Sequence, residues 1–268
     1  MIFLMDTPVL SRRLSCAAAA VILVVSGITG AAEPIRRIRA AEAHQAVAVD
    51  ESSLYAISSH TIARYDKQSE KRLVRWEAPA GSGIEHLNSG VVVDRRLYCA
   101  NSNWPAKPLK NSIEIFEAET LKHLESRPFS ETQGAINWVD RHQSSWWVVF
   151  AFYGDDEVRR TRLVRYDDDW NEMQKWSFPE SVIQRFLPNS NSGGTFGPGG
   201  RLIVTGHDHA ELYLLDVPVV GDELRHVATI PAPIAGQGIA WDHDDLGLLL
   251  GIVRSRHEVV FVRVPDTQ

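Results

Sequence analysis

Short apolar segments alternate with polar turns along this chain, and the same order recurs five times. Each copy has a polar loop, an apolar strand, an acidic or glycine-containing turn and a second apolar strand, with the β-branched and aromatic residues typical of sheets. The copies begin near residues 44, 88, 133, 192 and 237, and their turns lie 44 to 58 residues apart. Strand-only repeats of this length predict a β-propeller with four strands in each blade.

The fifth copy is too short for a fourth strand, and a spare strand precedes the first copy. Residues 237–265 leave room for three strands, whereas residues 34–40 have no neighbouring strand in sequence. We expect this segment to complete the last blade, because ring closure removes exposed strand edges. The predicted fold is all-β: one five-bladed domain over residues 33–268, with a single helical turn near 179–186. The expected blades span residues 44–78, 86–129, 133–179, 190–233, and 236–265 plus 34–40.

The first 32 residues have the layout of a secretory signal peptide. Arg12 and Arg13 precede an apolar run, and small residues at 30–32 offer a cleavage site. The run is shorter than the roughly 20 residues of a transmembrane helix, so a retained anchor is the second interpretation. The arginine pair partly matches a twin-arginine signal, but Ser15 favours general secretion. We expect a periplasmic or secreted protein.

Composition narrows the class of partner. The sequence of 268 residues is 44% apolar and 23% charged, with a formal net charge of -6. This charge argues against nucleic acid and favours a small neutral, cationic or metal-bridged ligand. No stable membrane insertion is expected once the signal is removed. Cys99 would then be the one remaining cysteine, which excludes an internal disulfide, and its apolar strand predicts a buried side chain.

Polar residues at the loops of one propeller face are the candidates for ligand binding. Loops that lead into the first strand and loops that leave the second strand share one face, so they collect residues distant in sequence. These loops are rich in amide, imidazole and guanidinium groups, as expected of a polar pocket. The alternative is that such side chains only stabilise turns. The predicted substrate-binding residues are His44, Asn88, Asn103, Tyr153, Asn191, Gln237 and Arg254.

The segment Gly206-His207-Asp208-His209 is the sharpest local motif. In an extended chain His207 and His209 would point to one side and hold a divalent ion such as zinc, with His86 as the predicted third ligand. An imidazole also suits acid-base catalysis near neutral pH, so the same two residues are the predicted catalytic groups. A structural loop role is the remaining alternative. A divalent metal is thus the one cofactor that the sequence suggests.

At the level of architecture the five strand-turn-strand copies resemble exported bacterial β-propellers of the quinoprotein-like and lactonase-like kind. Their number resembles that of the five-bladed glutaminyl cyclases, which implies metal-assisted or acid-base cyclisation, and some similar propellers are cycloisomerases. The first functional hypothesis is therefore an exported isomerase, lyase or hydrolase acting on a small polar or sugar-like molecule. The alternative is a non-catalytic propeller that binds a glycan, peptide or protein.

Overall fold

A computed structural model describes residues 30–130, 133–245 and 247–265, and they form five four-stranded antiparallel sheets. This is the predicted all-β, five-bladed propeller. Residues 1–29 of the predicted signal peptide lie outside the described residues. Ala32, the last residue of that predicted segment, is buried, and its amide donates to the Pro231 carbonyl oxygen at 2.8 Å.

Each of the first four blades is built from consecutive strands, with the first strand nearest the central axis. Short apolar runs broken by Asp, Gly or Ser turns produce these strands, because each turn lets the chain reverse after one crossing of the disc. Blade 1 contains β2 (Ala46–Val49), β3 (Ser53–Ile57), β4 (Thr61–Asp66) and β5 (Arg72–Glu77). Blade 2 contains β6 (Val91–Val93), β7 (Arg96–Ser102), β8 (Asn111–Glu117) and β9 (His123–Phe129). Blade 3 contains β10 (Ala135–His142), β11 (Ser145–Ala151), β12 (Arg162–Tyr166) and β13 (Glu172–Ser177). Blade 4 contains β14 (Gly193–Phe196), β15 (Leu202–Thr205), β16 (Glu211–Asp216) and β17 (Arg225–Pro231).

Blade 5 combines the two ends of the domain, as the sequence predicts. Its strands are β18 (Ala240–Trp241), β19 (Leu248–Val253), β20 (Glu258–Arg263) and, outermost, β1 (Glu33–Arg39). β1 runs antiparallel to β20, with Ile38 opposite Val259. This pairing covers the edge of β20 and ties the chain ends together, which closes the ring.

Helical structure is limited to one short helix and a few 3₁₀ turns. Helix α1 (Glu180–Phe186) buries Val182, Ile183 and Phe186 beside blades 3 and 4, and it lies where the sequence predicts a helical turn. No helix in the described ranges is long and apolar enough to cross a membrane.

The hydrophobic core lies between neighbouring sheets. Trp138 is fully buried between blades 3 and 4, and a side chain at Gly194 would come within 2.4 Å of its ring. Glycine at this position therefore lets the two innermost strands approach closely. Cys99 is buried between blades 1 and 2, as predicted, and burial raises the pKa of its thiol, with the charge of Glu114 adding to the effect.

Acidic turn residues on the lower face join blades rather than forming a separate site. Asp140 is buried, and its Oδ2 accepts the Phe196 amide at 2.8 Å, which links blade 3 to blade 4. Asp242 pairs with Lys67 at 2.8 Å and links blade 5 to blade 1. These contacts agree with the structural role that the sequence assigns to the acidic turns.

The outermost strand of every blade carries one β-bulge with an exposed apolar side chain. In each sheet the pairing of the third and outermost strands skips one residue of the outer strand. The skipped side chains are 37% to 55% exposed. A bulge bends the outer strand and interrupts its free edge, so these residues protect the blades from pairing with other sheets. They are Ile35, Leu73, Leu124, Met173 and Val227.

Candidate functional site

The loops of the upper face form one connected surface around the axis. We call upper the face that carries the loops leading into the first strand and the loops leaving the second strand of each blade. The Gly238 amide donates to the Gln45 carbonyl at 2.9 Å, and the Leu87 amide donates to the Ser59 carbonyl at 3.0 Å. The Thr205 hydroxyl donates to the Gln237 carbonyl at 2.6 Å. Polar residues from several blades are thereby held near one another.

One guanidinium and four imidazoles gather where blades 5, 1 and 2 meet. We call this group the Arg254 cluster; its members are Arg254, His44, His60, His86 and His257. Arg254 begins the 3₁₀ turn that follows β19, and its Nε donates to the His44 carbonyl oxygen at 2.9 Å. The rings of His44 and His257 stack with their centroids 6.1 Å apart. Among the described residues Arg254 has no ion-pair partner, although it is half-buried.

Burial and positive charge keep the imidazoles of this cluster neutral. Burial lowers the pKa of His44, and the charges of Arg254 and His257 lower it further. Burial likewise lowers the pKa of His86, with smaller contributions from Arg254, His60 and His44. The pKa of Arg254 is lowered by burial alone. At neutral pH the cluster therefore contains one cation surrounded by neutral rings that can donate or accept a hydrogen bond.

Three side chains of this region have unused hydrogen-bonding capacity. Within the described part of the chain, the rings of His44 and His86 and the amide of Gln237 make no side-chain hydrogen bond. Gln237 is only 5% exposed. Buried polar groups in folded proteins nearly always have a partner, so these groups are suited to bind water or a ligand.

A second group on this face pairs an imidazole with a carboxylate. His207 Nδ1 lies 2.7 Å from Asp208 Oδ1, and Asn189 Nδ2 donates to Asp208 Oδ2 at 2.9 Å. Burial acts to raise the pKa of Asp208, but hydrogen bonds from His207 and Asn189 and the nearby imidazole charges outweigh it and lower the pKa. Gly236 has φ of +60° and lies against the His207 carbonyl, where a side chain would come within 2.2 Å. This approach seats the loop of blade 5 beside His207.

The ionised Asp208 fixes the chemistry of His207. A carboxylate bonded to Nδ1 holds the ring in the tautomer with a proton on that nitrogen, which leaves Nε2 as a base. The His207 side chain is 39% exposed, so its ring is accessible from solvent. Such an arrangement can transfer a proton to and from a bound molecule.

The geometry assumed for metal binding differs from the geometry found. His207 and His209 lie in a bend between β15 and β16 rather than in an extended strand, so alternation along a strand does not set their directions. Across residues 30–130, 133–245 and 247–265, no group of three His, Cys, Asp or Glu side chains is arranged to hold a metal ion. His86 belongs to the Arg254 cluster, between blades 1 and 2, whereas His207 and His209 belong to blade 4. Metal binding stays a prediction.

An aromatic pair borders this face at blades 2 and 3. The rings of Trp104 and Tyr153 stack at 4.1 Å between centroids, and the Tyr153 hydroxyl donates to Asn137 Oδ1 at 3.1 Å. Burial raises the pKa of the Tyr153 hydroxyl, although its hydrogen bond to Asn137 opposes the shift. Asn103 lies nearby, where its amide bonds to Pro108 and Lys110 within its own loop. Trp104 is partly exposed and offers an apolar surface next to the polar loops.

Two predicted binding residues make other contacts. Asn191 is fully buried: its Oδ1 accepts the Trp138 indole N–H at 2.6 Å, and its Nδ2 donates to Thr205 and Gly193. All of its side-chain groups are thus engaged between blades 3 and 4. The half-buried side chain of Asn88 is 3.5 Å from the Ile136 carbonyl, at the limit of a hydrogen bond.

The geometry adds two residues that sequence reasoning did not select for the site. Asn137 lies within β10 and bonds to Tyr153, while Asn189 supports Asp208 from a preceding loop. A polar Asn in the middle of an apolar strand is the one sequence signal that could have identified Asn137. The Asn189 contact depends on a loop conformation that spacing alone does not define.

The described cavities on the lower face have most of their polar groups engaged. A cavity of about 290 Å³ between blades 1 and 2 is lined by Asp50, Tyr55 and Arg64. Asp50 accepts hydrogen bonds from Tyr55 and from the turn amides of Ser52 and Ser53. Because these contacts stabilise the turn, the upper face remains the better candidate.

Comparisons with solved structures support the fold. A luciferin-regenerating enzyme is 10% identical with a TM-score of 0.50, over 87% of this chain and 95% of that one. The structure of U3-55K is 11% identical with a TM-score of 0.50, over 86% and 98%. A streptogramin B lyase is 12% identical with a TM-score of 0.44, over 87% and 73%.

No protein-family model matches the sequence, and no curated protein is significantly similar to it. The similar structures include proteins named as enzymes and one whose name gives no activity. At these identities the similarity shows the propeller architecture alone.

Proposed function

We propose that this protein is an exported propeller enzyme that acts on a small polar, sugar-like molecule at its upper face. The observation that carries the proposal is the bonded pair of His207 and Asp208, supported by Asn189. A half-exposed imidazole oriented by a carboxylate is the common arrangement of a general acid-base group. The reaction class that it suits is isomerisation, elimination or hydrolysis.

In this proposal His207 Nε2 removes a proton from the bound molecule and later returns it. Asp208 stabilises the imidazolium that forms between the two steps, because a carboxylate beside a cation lowers its energy. Gln237 and Tyr153 orient hydroxyl groups from opposite sides of the axis. The neutral, partly buried surroundings exclude water and strengthen these hydrogen bonds.

The decisive experiment combines a ligand screen with turnover. Purified protein is screened by thermal shift against sugars, uronic acids and lactones, since a ligand of the folded state raises the unfolding temperature. Each ligand found is then incubated with enzyme, and its product is followed by NMR. His207→Gln should abolish turnover while leaving ligand binding measurable.

Two further variants test the assigned roles. Asp208→Asn should reduce kcat more than it changes KM, because it disturbs the orientation of His207 rather than binding. His226→Gln, on the outer strand of the same blade, is the matched control and should be fully active. Turnover that survives in His207→Gln would refute the catalytic assignment.

The predicted use of these histidines as metal ligands has its own readout. Metal content of the purified protein is measured for the wild type and for His209→Ala. Stoichiometric zinc that is lost in the variant would support a metal-dependent form of the enzyme. Full turnover in protein that has been freed of metal by a chelator would contradict it.

A non-catalytic binding propeller is the second candidate function. The exposed Trp104, stacked on Tyr153, favours it, because aromatic platforms of this kind commonly contact a glycan or a peptide. Ligand binding that depends on Trp104 and not on His207, without any product, would support the binding function.

A further inference from the structure

The charge of Arg254 has no counterion, which is unusual in this acidic protein. The chain has 34 acidic residues against 28 Lys and Arg, and most arginines with an assigned ion pair lie on the outer strands and turns. Arg254 is half-buried and uses only its Nε–H, in the bond to the His44 carbonyl. Its two terminal nitrogens have no hydrogen-bond partner among the described residues.

The groups next to this cation are neutral and can donate hydrogen bonds. His44 and His86 come from the loops that open blades 1 and 2, and both rings lie close enough for the charge of Arg254 to lower the pKa of each. Gln237, which opens blade 5, presents a nearly buried amide without a side-chain partner in the described residues. No carboxylate within the described chain forms an ion pair with any member of the Arg254 cluster.

We infer that the Arg254 cluster is an anion subsite that takes the carboxylate or phosphate group of the molecule bound on the upper face. The planar guanidinium fork matches the paired oxygens of these groups, and partial burial strengthens a charge-assisted hydrogen bond. The inference rests on the proposed function and narrows its substrate class to sugar acids or sugar phosphates. A neutral sugar would leave the charge of Arg254 uncompensated.

The experiment follows the histidine rings directly. Protein with ¹⁵N-labelled histidine is titrated with glucuronate, acetate and inorganic phosphate, and with glucose as the uncharged control. We expect saturable shifts of the His44 and His86 rings with the anions and no such shifts with glucose. The glucuronate and acetate titrations together report a carboxylate subsite, whereas tighter binding of phosphate reports a phosphate subsite.

Three variants separate the fork of Arg254 from general charge. Arg254→Gln should weaken anion binding at least about tenfold, the size expected for a charged hydrogen bond. Arg254→Lys keeps the charge and should retain weaker binding, which also guards against a folding defect in the first variant. Arg256→Gln removes the same net charge from an exposed position on the same turn and should bind as the wild type does.

The possible results separate this inference from the proposed function. Equal binding of glucose and glucuronate, or anion binding unaffected by Arg254→Gln, would overturn the subsite even if His207-dependent turnover were found. Anion binding that requires Arg254, together with no turnover of any ligand, would retain the subsite and refute the enzyme. Absence of ring shifts with all three anions also overturns the subsite.

Discussion

Replacement of Asn191 by Ala tests whether this residue stabilises the ring or binds the ligand. The side chain accepts the Trp138 indole N–H and donates to two backbone carbonyls, and none of it is exposed. Alanine leaves a buried indole N–H unsatisfied, at about 1–3 kcal/mol, and removes two further bonds of about 0.5–1.5 kcal/mol each. We therefore expect the free energy of unfolding to fall by about 4 kcal/mol.

The assay is unfolding by urea, followed through tryptophan fluorescence, with a thermal scan beside it. In a domain of this size a loss of about 4 kcal/mol lowers the unfolding temperature by roughly 8–16 °C. Asn189→Ala is the matched control, since this half-buried side chain bonds only to neighbours on the upper face, and its cost should be under about 1 kcal/mol. A fall below about 1 kcal/mol for Asn191→Ala, combined with lost ligand binding, would refute the structural role and restore the predicted substrate contact.

Three further predictions concern the disc itself. Burial raises the pKa of Asp140 to about 6, so its contribution to stability is complete below about pH 4 and is lost as pH rises through 6. The free energy of unfolding of the wild type minus that of Asp140→Asn should fall by about 3 kcal/mol between pH 4 and 7, and a constant difference in urea titrations would contradict this. Deletion of the bulge residue Leu73 should give concentration-dependent association in light scattering, whereas Leu73→Ser keeps the bulge and should not; equal behaviour would count against edge protection. Ile38→Ala in β1 should cost about 2–5 kcal/mol in urea unfolding, against under about 0.5 kcal/mol for the exposed Ile35→Ala, and similar costs would argue against closure by β1.

The fold could be predicted from sequence because its information is local and repeated. Apolar runs, turn residues and the missing fourth strand of the last copy were sufficient to predict five blades and closure by β1. The bulges could not be predicted, since Leu73 and Met173 have the composition of ordinary strand residues. A bulge depends on which residues of two strands lie opposite each other, and that register is set by tertiary packing.

The candidate site divides in the same way. The sequence alone identified the upper-face loops, the motif around His207 and the unusual concentration of amides and imidazoles. Only the tertiary structure joined His207 to Asp208 and Asn189, directed Asn191 into the interface of two blades, and left Arg254 without a counterion. The physical reason is that residue type and spacing determine which groups can reach one face, whereas burial and the partners contributed by other blades determine which of those groups remain free to bind.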